Sequence, residues 1–112
     1  MQHHNHERRF LYMIKENMIK IIEERKKKHI EDDYGIQECW EKIVDILSVD
    51  VQQTVMYLEN CTQEELYYIS ETFEDISQRL QSQTFIECLR KLDEKFPELE
   101  MTQDIDLAET YI

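Results

Sequence analysis

The chain has 112 residues, enough for one domain with one core, and 41% of it is apolar while 34% is charged. One glycine and one proline are too few for the tight turns that join strands, which argues against β architectures. The formal net charge of −12 argues against direct nucleic-acid binding, because an acidic body repels phosphate.

The first helical pattern, "NHERRFLYMIKENMIKIIEERKKKH", spans about residues 6–29. Phe10, Ile14, Met18 and Ile21 share one side, widened by Leu11, Tyr12 and Ile22. Glu16–Lys20, Glu23–Lys27 and Glu24–Lys28 are i,i+4 pairs in the favourable order, and the cluster from Arg25 to Lys28 suits a helix C-terminus. Residues 1–6, with His3, His4 and His6, are expected to form a flexible tail, natural or added, rather than a metal site. Asp33 is expected to cap a second helix over 35–47, with Ile36, Trp40, Ile43, Val44 and Leu47 facing in. A short third helix starts at Ser48 or Asp50 and reaches about Asn60. "TQEE" forms a capping box, Thr62 with Glu65, opening a fourth helix over 63–80. Ser82 caps a fifth over 83–96, Pro97 stops it, and Thr102 caps a short last helix. The expected fold is all-α: a single domain of five to six helices with antiparallel neighbours, in which 7–29 is a basic-ended helix and 34–112 an acidic body. Whether the first helix joins the bundle or mediates a homodimer is open.

Catalytic and cofactor signatures are missing from the sequence. One glycine allows no phosphate loop, and neither HExxH nor ExxH occurs. Helical ribonucleases of the HEPN type use Arg-x4–6-His, whereas Arg25 and His29 stand at Arg-x3-His. The three cysteines, Cys39, Cys61 and Cys88, are scattered and suit buried packing in a reducing compartment. No apolar run is long enough to span a membrane and no signal-peptide segment is present, so a cytoplasmic protein without cofactor, metal or membrane partner is expected.

The charge is unevenly spread. Residues 1–30 carry eight Lys/Arg against four Glu, and residues 31–112 carry five against 21. Such a body attracts basic proteins and speeds their encounter. The fourth helix adds a sharper feature. Its stripe of Leu66, Ile69, Phe73, Ile76 and Leu80 is for the core, yet Tyr67 and Tyr68 fall outside it, beside Glu71, Glu74 and Asp75. Tyrosine offers large contact area at low rotamer cost, so these five residues are the candidate partner-binding face. Tyr57, Glu59 and Glu64 could extend it. The exchange Glu71→Lys with Asp75→Lys is expected to leave the fold intact while weakening binding.

The segment "CTQEELYYISETFEDISQRLQSQTFIECLRKLDEKFPEL", followed by "TQDIDLAETYI", resembles the C-terminal half of small helical immunity proteins encoded beside bacterial polymorphic toxins, including Maf-type and contact-dependent-inhibition systems. The resemblance covers about residues 39–112. It implies a cytoplasmic, non-enzymatic antitoxin that binds a cognate toxin domain, often a basic nuclease and in some cases an EndoU-like ribonuclease. The alternative is a helical adaptor or regulatory module that self-associates through its first helix.

Overall fold

The computed structural model describes the backbone of residues 2–112 and the side chains of residues 8–112. Met1 and the side chains of residues 2–7, including His3, His4 and His6, lie outside the described residues, and the backbone of residues 2–6, expected as a flexible tail, is part of the first helix. Among the described residues seven α-helices follow in order: α1 (Gln2–Lys27), α2 (Asp33–Leu47), α3 (Val51–Asn60), α4 (Gln63–Ile69), α5 (Phe73–Leu80), α6 (Gln83–Lys95) and α7 (Thr102–Glu109). No strand occurs among the described residues. The all-α bundle expected from the sequence is the fold found.

Each helix start has a local cause. Asp32, one residue earlier than expected, caps α2 by accepting from the Gly35 amide at 2.9 Å. Gly35 permits this: a Cβ there would sit 2.4 Å from an Asp32 carboxylate oxygen. Asp50 caps α3 through the Gln53 amide, and Ser82 caps α6 through the Phe85 amide. The capping box of Thr62 and Glu65 is complete. Thr102 does not cap α7. Its hydroxyl donates to Asp93 at 2.6 Å instead, tying α7 back to α6.

The expected fourth helix is interrupted. Ser70–Thr72 forms a 3-10 turn between α4 and α5, with no loop on either side. The reason lies in two hydroxyls. Ser70 donates to the Tyr67 carbonyl at 2.5 Å and Thr72 to the Ile69 carbonyl at 2.7 Å, each three residues back. Short hydroxyl side chains compete with the helical ladder in this way. A 3-10 turn is tighter than an α-turn, so residues beyond Ile69 leave the register that an unbroken helix would give them.

The core runs through every helix. Met18, Ile22, Ile43, Leu47, Leu58, Leu66, Phe73, Phe85, Leu89 and Ile105 are among its fully enclosed members. Phe73 meets Phe85 edge to face at 6.3 Å. Tyr57 belongs here too, fully buried, its hydroxyl donating to Glu65 at 2.5 Å. It is a core residue and does not extend the candidate face. Cys39 and Cys88 are buried and Cys61 half-buried, all as free thiols. Burial pushes the Cys61 thiol up to about 12 and Cys88 to about 11, so neither is a reactive thiolate near neutrality. α1 packs on α2, α3 and α4, so it belongs to the bundle. Among its described side chains, however, only Met18, Ile21 and Ile22 are buried, and Phe10, Tyr12, Met13 and Ile19 stay exposed.

Candidate functional site

The candidate face is built where the 3-10 turn meets α1, α2 and α7. Its five expected members do different things. Tyr67 is 52% exposed and points outward. Tyr68 is half-buried, edge-on to Tyr67 at 5.1 Å, with the Arg25 guanidinium 5.4 Å above its ring. Glu71 takes a two-pronged bond from Arg25, at 2.9 and 2.8 Å, and a third from the Trp40 indole N–H at 3.0 Å. One carboxylate thus ties α1, α2 and the 3-10 turn together. Such fork-to-carboxylate pairs are the strong kind of ion pair, and Glu71 in turn raises the Arg25 pKa. Glu71 is a structural junction, and reversing its charge would break that junction, contrary to the benign Glu71→Lys expectation.

Glu74 and Asp75 diverge, as successive helical residues must. Glu74 lies toward α7, within 3.4 Å of the Tyr111 hydroxyl that donates to it. Asp104 on α7 joins the same acidic corner. Its carboxyl is raised above the usual range, first by desolvation and then by the charges of Glu74 and Glu71. Asp75 faces the other way, into a groove of about 480 Å³ between α2 and α5. Trp40, Glu41 and Val44 form its α2 wall, and Asp75, Gln78 and Arg79 its α5 wall. Arg79 is matched by Asp45 at 2.7 Å. Glu41 and Asp75 form no ion pair with any described residue.

Two members of the basic cluster at the end of α1, Arg25 and Lys26, are tied to the body of the protein, while Lys27 and Lys28 form no ion pair with any described residue. Arg25 serves Glu71, and Lys26 bridges Glu23 at 3.3 Å and Glu64 at 3.0 Å. His29 accepts from the Glu31 amide at 3.1 Å through Nδ1. Arg25 and His29 therefore each have a structural partner. Among the described residues, no group of three or more His, Cys, Asp or Glu is arranged to hold a metal, and no helix is long and apolar enough to cross a membrane.

Glu41 and Asp104 carry no mark in the sequence, and Trp40 and Arg25 are marked there for other roles, Trp40 as core and Arg25 as part of a basic helix end and of the Arg-x3-His spacing. Arg25 and Glu71 stand 46 residues apart with no pattern linking them. No protein-family model, curated protein or solved structure matches the chain significantly.

Proposed function

We propose that this protein is a cytoplasmic immunity protein, which neutralises a cognate toxin domain of basic character, a nuclease foremost, by forming a stoichiometric complex. The observation that carries the reading is an acidic, aromatic surface: Tyr67 is exposed, and Glu74, Asp75 and Asp104 have no cationic partner among the described residues. A nuclease cleft is lined with cations for phosphate, and this face offers those cations carboxylates instead. Long-range attraction from the acidic body would speed encounter, and Tyr67 would slow dissociation by filling a pocket on the partner. The mechanism needs no chemistry from this chain. It occludes the surface on which the toxin's substrate would bind.

The test is co-expression with the toxin domain encoded beside it, in a cell that the toxin kills, followed by co-purification. Rescue together with a stable complex is expected. A folded, helical protein that neither rescues nor co-purifies overturns the reading.

The exposed Tyr12, Met13 and Ile19 on α1 favour a second reading, a self-associating adaptor. Sedimentation across a concentration series separates the two: the immunity reading predicts a monomer until the toxin is added, and the adaptor a concentration-dependent dimer.

A further inference from the structure

We propose that the groove between α2 and α5 is a socket for one arginine side chain presented by a partner protein. This inference names the contact within the proposed acidic face and so rests on that reading.

The groove has the parts that a guanidinium needs. Its floor is Val44, only 3% exposed, which suits an aliphatic stem. Its side wall is Trp40, whose indole N–H is already held by Glu71 at 3.0 Å. That bond fixes the ring, so the π-face is a preset surface on which a planar cation can stack. Glu41 and Asp75 stand on opposite walls without cationic partners among the described residues, and the resident Arg79 is already neutralised by Asp45. The local balance is therefore two unmatched carboxylates around an aromatic and apolar slot. A volume of about 480 Å³ lies within the range of specific small-ligand pockets, roughly 300–1,000 Å³.

Arginine fits better than lysine because a guanidinium stacks and donates in the plane toward two acceptors, whereas an ammonium is a compact, strongly hydrated point charge. A protein-borne side chain fits better than free arginine. The surrounding body carries five Lys/Arg against 21 Asp/Glu over residues 31–112, and that field attracts a basic protein surface while repelling the carboxylate of a free amino acid.

Trp40 is the only tryptophan in the chain, so its emission reports on the groove directly. The experiment titrates the full chain with the blocked peptide acetyl-Ala-Arg-Ala-amide and with the same peptide carrying Gln for Arg. The arginine peptide is expected to change Trp40 emission saturably, and the glutamine peptide not. Glu41→Gln with Asp75→Asn should weaken the arginine peptide by about tenfold, as expected for two exposed ion pairs, with helicity unchanged. Glu87→Gln with Glu98→Gln, which removes the same charge outside the groove, should leave the midpoint in place. Equal titration of the groove variant and the wild type overturns the socket, as does an equal response to the glutamine peptide. A self-dimer that the groove variant abolishes would also overturn it, by making a second copy the occupant. The co-expression assay keeps the two readings apart. If the groove variant protects against the toxin as well as the wild type does, the socket falls and the immunity reading stands. If the wild type fails to protect but the arginine peptide still saturates, the immunity reading falls and the socket stands.

Discussion

Glu71 and Tyr67 lie on the same short stretch of chain, yet substitution at each has a different consequence. Glu71 holds Arg25 and Trp40, so Glu71→Ala leaves a partly buried guanidinium and an indole N–H unpaired. We expect a loss of about 1–3 kcal/mol in urea unfolding, with a red shift of Trp40 emission as the ring loses its anchor. Tyr67 is exposed and its hydroxyl makes no hydrogen bond to any described residue, so Tyr67→Ala should change stability by less than about 0.5 kcal/mol while weakening partner binding in calorimetry. Asp104 adds a pH signature. Its folded pKa is raised, so the folded state binds its proton more readily than the unfolded chain, and ionisation of this group costs stability. That cost is fully present above the raised pKa and vanishes as pH falls through it toward the unfolded value. Asp104→Asn should therefore raise the melting temperature at pH 7, with the gain disappearing in strongly acidic buffer. A gain that is the same at every pH would contradict the assignment.

At the scale of elements, much of the fold was legible in the sequence. The capping chemistry of Thr62 with Glu65 and of Ser82 reads directly, because a cap is a local contact between residues three apart. The core stripe of Leu66, Ile69, Phe73 and Ile76 was equally visible. The 3-10 turn was not, since the same apolar spacing continues across it and only the hydroxyls of Ser70 and Thr72 mark the break. The candidate face was legible as a composition and illegible as a geometry. Tyr67 emerged on the outside as expected, whereas Glu71 turned inward to partners 46 and 31 residues away. The C-terminal turns offer a separate test. Glu100 sits at a φ of 53°, a left-handed conformation that favours glycine. Glu100→Gly should gain about 0.5–1 kcal/mol in thermal unfolding, since the left-handed strain of an L-residue exceeds the added freedom of glycine in the unfolded chain.

For the whole molecule, the net charge of −12 acts on partners more than on the fold. Association with a basic partner should slow by about tenfold or more from low to high ionic strength, while dissociation changes little, in stopped-flow or surface-based kinetics. A salt-independent association rate would mean that the acidic face does not guide the encounter. At the basic end of α1 only Arg25 and Lys26 pair with the acidic body, through Glu71 and Glu64, so most of the body's carboxylates stay available to a visitor.

The measurement that tests this account most directly is an activity titration. The purified toxin domain is held at fixed concentration and the full chain is added stepwise. The account predicts that activity falls linearly to zero at one equivalent, with a one-to-one complex eluting from a sizing column. Full toxin activity in the presence of a tenfold excess of folded protein would contradict it.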